Sequence, residues 1–123
     1  MMDEDSDYKA RYGPWAMVIG GSVGLGEALA RELARRGMNV AITARGQDKL
    51  DLAAARIRAD FAVETKSIAA DLADPDILDK LLAGMGGIPV DFLIYNAASE
   101  HIGEFLAQDL ERPLENIAIN CTV

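Results

Sequence analysis

The sequence predicts an α/β domain built on a parallel sheet with helices on both faces. Short, almost wholly apolar segments alternate along the chain with segments of helical periodicity, in the order β-α-β-α-β-α-β-α. The apolar segments lack the alternating polar residues of a strand with one face in water, so each is expected to be buried on both faces. Because crossovers between parallel strands are right-handed, this order favours a doubly wound, Rossmann-like sheet with the strand order 3-2-1-4.

The first half of the chain contains two strands and two helices with clear boundary signals. A buried strand is predicted at Trp15–Ile19, which is continuously apolar and lies between a Gly-Pro pair and a glycine. A helix is predicted at 24–36, where leucines recur at every fourth position, and Gly37 is expected to end it. A second strand and a second helix are predicted at Asn39–Ala44 and Gln47–Asp60.

Charged residues support the first of these helices. Glu27 and Arg31, and likewise Glu32 and Arg36, are spaced i,i+4 with the acid first. In that order the two side chains can pair on the outer surface of a helix. We therefore expect both ion pairs to form within this helix.

The second half of the chain has a strong helix-start signal in Asp74, Pro75 and Asp76. An aspartate can cap a helix, a proline suits its first position, and a second acid in the first turn interacts favourably with the helix dipole. The helix is expected to begin with Asp74 as its cap. The other elements predicted in this half are a strand at 63–70, a strand at 90–95, a loop at 96–108 and a last helix capped by Asp109.

The charge balance limits the possible partners. The chain has 12 Lys and Arg residues against 20 Asp and Glu residues, so its formal net charge is −8 at pH 7. A nucleic-acid-binding protein normally presents a basic face, and we therefore expect no nucleic acid partner. Part of the negative charge lies at the N-terminus, where residues 1–11 are predicted to form an acidic mobile tail.

The composition also bears on membranes, disulfides and metals. No apolar run approaches the roughly 20 residues that a membrane-spanning helix needs, and no secretory signal is visible, so no membrane partner is expected. The single cysteine, Cys121, excludes an internal disulfide and fits a cytoplasmic location. No cluster of His, Cys and acidic residues indicates a metal site.

A glycine-rich turn joins the first strand to the first helix. Its glycines lie at positions 20, 24 and 26, spaced G-x-x-x-G-x-G. Glycines let the backbone approach a ligand closely, and the free N–H groups at a helix N-terminus attract phosphate. We predict that this turn binds a dinucleotide, the alternative being a purely structural turn. The predicted binding residues of the turn are Gly20, Ser22, Val23, Gly24, Leu25 and Gly26.

The spacing Gly20-x-x-x-Gly24-x-Gly26 resembles the cofactor loop of the short-chain dehydrogenase/reductase family. Members of that family usually have a threonine just before the first glycine, where it braces the loop, whereas this chain has Ile19. The resemblance implies an NAD(P)-binding Rossmann domain at 12–123. It also implies that residues other than Ile19 brace the loop.

The end of the second strand selects between NAD and NADP. A carboxylate there would bond the ribose 2′-hydroxyl of NAD, whereas an arginine would pair with the 2′-phosphate of NADP. This chain has Ala44 in the acidic position, and Arg45 follows it. We therefore predict NADP rather than NAD, with Arg45 on the 2′-phosphate. The alternative is that Arg45 is a solvated residue ahead of the second helix.

Two later strand ends are also similar to the family pattern. Asp71 and Leu72 stand where the family has an aspartate that contacts adenine and an apolar neighbour, although Asp71 could instead cap or turn the chain. The family sequence Asn-Asn-Ala-Gly corresponds here to Tyr-Asn-Ala-Ala, which keeps Asn96 and Ala97 and has Ala98 for the glycine. The resemblance implies that Asn96 steadies the sheet and that the two alanines let the nicotinamide-side ribose come close.

The residues that carry out hydride transfer in the family are absent from this sequence. The family uses a serine, and a tyrosine with a lysine four residues later. The tyrosines here are Tyr8, Tyr12 and Tyr95, and none has a lysine at that spacing. Asn120 resembles the family's helix asparagine, which helps to hold the lysine through a water. It is the one catalytic-site residue predicted in this chain, and its implied role is a supporting one.

The expected function combines these observations. We expect the chain to be the cofactor-binding part of a longer NADP-dependent oxidoreductase, truncated before its catalytic half and inactive alone. The whole enzyme is expected to transfer a hydride between nicotinamide and a small-molecule carbonyl or alcohol, and to be a homo-oligomer. The alternative is a non-catalytic NADP-binding sensor or assembly module.

Overall fold

The computed structural model describes residues 8–123 and shows a parallel sheet of four strands. The strands are β1 Trp15–Ile19, β2 Asn39–Ala44, β3 Thr65–Ala69 and β4 Phe92–Tyr95. Their order across the sheet is β3-β2-β1-β4, as predicted, and each neighbouring pair is parallel. β4 therefore lies at an edge of the sheet, where Leu93 and Tyr95 are exposed.

Helices connect the strands in the predicted alternation, which confirms the Rossmann-like α/β fold. Within residues 8–123, no helix is both long enough and apolar enough to cross a membrane. The helices are α1 Tyr8–Tyr12, α2 Gly24–Arg35, α3 Gln47–Asp60, α4 Ile77–Met85 and α5 Glu111–Ile117, with a short 3-10 helix at Phe105–Ala107 and a π-helical turn at Ala118–Thr122.

The core lies on both faces of the sheet. Every residue of β1 is buried, as expected for a central strand. Alternate residues of a strand point to opposite faces, so one set of strand side chains packs against α2 and α3 and the other set against α4. The first cluster includes Val18, Ile42, Leu33, Leu50 and Ile57, and the second includes Met17, Ala41, Ile77, Leu81 and Met85.

β3 and β4 each begin two residues later than predicted. Ahead of β4, the Asp91 carboxylate accepts the Trp15 N–H at 3.0 Å, and the Asp91 N–H donates to the Trp15 carbonyl at 2.9 Å. The Asp91 side chain thus accepts the Trp15 N–H in place of a backbone carbonyl, and the regular strand pairing does not extend to this point. Ahead of β3, the Val63 N–H donates to the Phe61 carbonyl at 2.9 Å, which turns the chain before it joins the sheet.

The predicted acidic tail is wrong for residues 8–11. These residues form most of α1, and Tyr8 packs against the core cluster beneath α2 and α3. The Tyr8 ring lies 4.5 Å from the Arg36 guanidinium carbon and 5.1 Å from the Tyr12 ring. Aromatic packing therefore outweighs the acidic neighbours that suggested a tail. Residues 1–7, which carry those acids, lie outside the described residues.

One of the two predicted ion pairs of α2 is absent. Glu27 pairs instead with Arg56 at 2.7 Å, and Arg31 pairs with Asp60. Both new partners belong to α3, which lies beside α2 on the same face of the sheet. The i,i+4 geometry is available within α2, but the neighbouring helix offers partners of the right sign across the interface. These pairs therefore join two helices.

The other predicted pair lies at the C-terminal end of α2 and is present. Glu32 contacts Arg36 at 2.8 Å and Arg35 at 2.7 Å, and these hydrogen bonds lower the pKa of Glu32 from 4.5 to about 2. The interaction therefore stabilises the fold above pH 4.5 and is lost as the pH falls toward 2. Gly37 ends the helix as predicted, with a φ of +89° and a Schellman pair of hydrogen bonds.

The start of α4 differs from its prediction. The helix begins at Ile77, and Asp74 does not cap it. The Asp71 side chain accepts the Ala73 N–H at 3.0 Å, and the Asp71 carbonyl accepts the Asp74 N–H at 3.0 Å. Asp74 therefore sits within a turn that starts at Asp71, and its carboxylate pairs with Lys80 at 2.6 Å.

Two leucines of α3 provide a matched test of this core. Leu50 is fully buried, whereas Leu52 is 59% exposed. We predict that Leu50→Ala lowers the free energy of unfolding by about 2–5 kcal/mol, because it leaves a cavity between α3 and the sheet. Leu52→Ala should change it by less than about 0.5 kcal/mol. Urea denaturation of both variants measures the difference, and equal losses would contradict the packing described here.

Candidate functional site

The largest group of predicted site residues lies around a cavity at the C-terminal ends of the strands. The cavity has a volume of about 350 Å³ and is bordered by residues that follow each of the four strands. In open parallel sheets, ligands bind at this end. The predicted residues that line it are Gly20, Val23, Arg45, Asp71, Leu72, Ala97 and Ala98.

A second cavity adjoins the first beside the start of α3. It has a volume of about 560 Å³, and its lining includes Ser22 and Lys49. Val23 and Arg45 line both cavities. Arg45 is exposed and stands where the two spaces meet.

The glycine-rich turn approaches itself closely. A Cβ at Gly26 would lie 1.7 Å from the carbonyl oxygen of Gly20, so no side chain fits there without moving the backbone. Gly20 has a φ of +84°, which side chains rarely allow. Gly24 and Leu25 begin α2, and Leu25 is 67% exposed. Gly26 therefore sets the compact shape of the turn rather than lining the cavity.

The turn is braced by β2 in place of the missing threonine. The N–H groups of Gly20 and Gly21 both donate to the Thr43 carbonyl, at 2.8 and 3.2 Å. Ile19 itself is buried in the core. The turn is therefore braced, as expected, by a residue other than Ile19. The brace is a backbone carbonyl of the neighbouring strand.

The segment after β4 provides a second brace. The N–H groups of Asn96 and Ala97 donate to the Ile19 carbonyl at 2.9 and 3.0 Å, and the Asn96 side-chain amide donates to the Gly20 carbonyl at 3.3 Å. Asn96 thus links β4 to the glycine-rich turn. A Cβ at Gly20 would meet the Ala97 nitrogen at 2.9 Å, so this junction also needs a residue without a side chain.

Asn120 lies away from the cavity lining and holds the backbone of Ser99. Its side-chain oxygen accepts the Ser99 N–H at 2.8 Å, and its amide group donates to the Ser99 carbonyl at 2.7 Å. The Ser99 hydroxyl donates to the Asn116 side-chain oxygen at 2.8 Å. The two asparagines are four residues apart, a spacing that places them on one helix face and could have indicated a shared partner.

The cavity also includes residues that the sequence did not suggest as binding residues. Thr43, Glu115 and Ile119 all line it. Thr43 is 1% exposed, and among the described residues its hydroxyl has no hydrogen-bond partner. Nothing in the sequence distinguished this threonine from an ordinary strand residue.

A family profile described as short chain dehydrogenase matches residues 14–123. The chain belongs to the short-chain dehydrogenase/reductase family. Very-long-chain 3-oxoacyl-CoA reductases from Macaca fascicularis and Homo sapiens are 43% and 40% identical to it over 89 residues, which cover 72% of this chain and 28% of each relative. The chain thus spans 28% of the length of these curated relatives.

Solved structures of other family members share the fold. A 7β-hydroxysteroid dehydrogenase matches with a TM-score of 0.88 and 30% identity, over 93% of this chain and 44% of the other. A short-chain dehydrogenase from Sphingobium yanoikuyae in complex with NADPH matches with a TM-score of 0.79 and 32% identity, over 89% and 43% of the two chains. These likenesses support the use of a nicotinamide dinucleotide.

The residues of this short-chain dehydrogenase chain fit such a cofactor. The Gly20–Gly26 contact leaves no room for a side chain at position 26. The backbone N–H groups at the N-terminus of α2 can bind a pyrophosphate. The strand-end cavity is close to the lower end of the volume range typical of small-molecule sites. Among residues 8–123, no group of three or more His, Cys, Asp and Glu residues could hold a metal ion.

Tyr95 does not have the surroundings of a catalytic tyrosine. A catalytic phenol needs a pKa lowered by a neighbouring cation, whereas burial raises the pKa of Tyr95. Its hydroxyl donates to the Ile119 carbonyl. Tyr95 therefore joins β4 to the segment after α5.

The close contact at Gly26 generates a prediction. Gly26→Ala should lower the free energy of unfolding by at least about 2 kcal/mol, because the new Cβ must push a backbone carbonyl aside. Gly46→Ala is the matched control, since a Cβ there meets nothing within 4 Å. Thermal and urea unfolding compare the two variants. Equal stability of the two would show that the turn is looser than described.

Proposed function

We propose that the chain is the NADP-binding part of an oxidoreductase that transfers a hydride between nicotinamide and a carbonyl or alcohol. The cavity at the strand ends, the compact glycine turn and family membership support the cofactor class. When bound, the nicotinamide ring supplies or accepts the hydride. The residues of this chain hold and orient the cofactor.

The choice of NADP over NAD rests on Arg45. It follows β2, is exposed, and lines both cavities. Among the described residues it forms no ion pair, so its guanidinium is available to a phosphate. A guanidinium can hold a phosphate with two parallel hydrogen bonds. Ala44 brings no carboxylate that would repel the 2′-phosphate.

The curated relatives suggest a substrate class for the whole protein. They are named very-long-chain 3-oxoacyl-CoA reductases. We propose a 3-oxoacyl thioester as the first carbonyl substrate to test. Its keto group would be reduced to an alcohol by the hydride and a proton.

A homo-oligomer is also part of the proposal. Large apolar side chains are exposed between residues 102 and 117, and two of them, Ile102 and Leu106, are 89% and 95% exposed. Exposed apolar patches of this kind commonly mark protein–protein contacts. The other exposed members are Phe105, Leu110, Leu114 and Ile117.

Removal of the Arg45 guanidinium tests the cofactor assignment. Arg45→Ala should weaken NADP binding about 10- to 100-fold and leave NAD binding nearly unchanged, because only NADP carries the 2′-phosphate. Arg58→Ala is a charge-matched control, since Arg58 bonds Thr65 at the opposite end of the sheet. Calorimetric titration of each protein with NADP and NAD gives the affinities. Unchanged NADP affinity in Arg45→Ala would rule out this role.

A second prediction is that this chain binds the cofactor without catalysing the reaction. The 1–123 polypeptide should bind NADPH yet show no oxidation of NADPH above background with a 3-oxoacyl thioester, because it lacks a tyrosine paired with a lysine. Loss of NADPH absorbance measures the reaction. Turnover that survives repeated purification would contradict the prediction.

A further inference from the structure

The strand-end cavity is lined by Thr43, whose side-chain hydroxyl has no role in the cofactor binding proposed above. The Thr43 hydroxyl is buried, and among residues 8–123 it has no hydrogen-bond partner. The Thr43 carbonyl, by contrast, accepts two bonds from the glycine-rich turn. Buried polar groups in folded proteins are nearly always hydrogen-bonded, so an exception calls for a cause. A valine would fill the same space without an unpaired polar atom.

The sheet register locates this side chain. Thr43 lies between Ile19 of β1 and Ile68 of β3. Paired residues of parallel strands point to the same face, so the Thr43 side chain shares the face of those two isoleucines. Leu72 packs against the same apolar cluster, and it lines the cavity together with Thr43. Thr43 therefore belongs to the wall between the core and the cavity, and its hydroxyl is buried within that wall.

The neighbours of Thr43 in the cavity have the chemistry of a site for a heteroaromatic base. Ala70 and Leu72 offer apolar contact to the faces of a flat ring, and Asp71 offers a carboxylate to its edge. A threonine hydroxyl can both donate and accept a hydrogen bond. Rotation about the Cα–Cβ bond by one staggered step can bring the hydroxyl to the position that the methyl group held, without moving the backbone.

We propose that Thr43 is a further cofactor-binding residue, whose hydroxyl forms a hydrogen bond with the edge of the adenine ring. The inference rests on the proposed NADP-binding function and adds a contact to its adenine half. It explains why the buried residues of β2, which are otherwise apolar, include a hydroxyl at this position. The unpaired hydroxyl of the free protein becomes paired when the base is present.

Two substitutions at Thr43 separate binding from packing. Thr43→Val removes the hydroxyl and keeps the shape, so it should preserve or raise the melting temperature while weakening NADP binding about fivefold. Thr43→Ser keeps the hydroxyl and removes a methyl group. It should lower the melting temperature while keeping NADP affinity within about twofold of the unaltered chain.

The probes for the titration are NADP, NAD, adenosine 2′,5′-bisphosphate and nicotinamide mononucleotide. Thr43→Val should weaken the first three by the same factor and leave nicotinamide mononucleotide unchanged, because the proposed contact is to adenine. The ratio of NADP to NAD affinity should stay constant, which distinguishes this role from that of Arg45. Equal binding by Thr43→Val and the unaltered chain would overturn the proposal.

Three outcomes distinguish failure of this inference from failure of the proposed function. Thr43→Ser binding as weakly as Thr43→Val would overturn the proposal, because the methyl packing and not the hydroxyl would then matter. Failure of the unaltered chain to bind NADP would overturn the proposed function together with this inference. Binding by the unaltered chain, with no effect of Thr43→Val, would overturn the inference alone.

Discussion

Two strand-end carbonyl groups determine the shape of the cofactor site. The Thr43 carbonyl accepts the N–H groups of the first two residues of the glycine-rich turn, and the Ile19 carbonyl accepts the N–H groups of the two residues that follow β4. Each carbonyl thus holds the segment that follows a neighbouring strand: β2 holds the turn after β1, and β1 holds the segment after β4. The turn can fold tightly enough for Gly26 to touch the Gly20 carbonyl because its first residues are held in this way. The position of Ala97 at the cavity follows from its bond to the Ile19 carbonyl.

The site that results has groups suited to holding a cofactor. Its polar groups include an exposed arginine, an aspartate at the end of β3 and a buried hydroxyl on β2. These groups can recognise a phosphate and a purine base. Tyr95, at the end of β4, has a pKa raised by burial, and its hydroxyl donates a hydrogen bond to the Ile119 carbonyl. Tyr95 is therefore given no proton-transfer role in the proposed reaction.

The sequence predicted those features that depend on local patterns. Continuous apolar runs located β1 and β2, and the glycine spacing located the turn. It did not predict features that depend on neighbouring elements. Glu27 pairs with a residue of α3, which no i,i+4 rule can reveal. Asp74 fits a cap by residue type, yet it lies in the turn that begins at Asp71, and its carboxylate pairs with Lys80. The unpaired hydroxyl of Thr43 became visible only once the strands were placed side by side.

The central claim is that the strand-end cavity binds NADP through the turn, Arg45 and the ends of β3 and β4. Backbone amide chemical-shift mapping of the isotope-labelled chain during titration with NADP tests it most directly. We predict saturable shifts concentrated at residues 20–26, 45, 71–72 and 96–98, with little change in the exposed face of α3. Shifts that are absent, or that are confined to residues away from the strand ends, would contradict the claim.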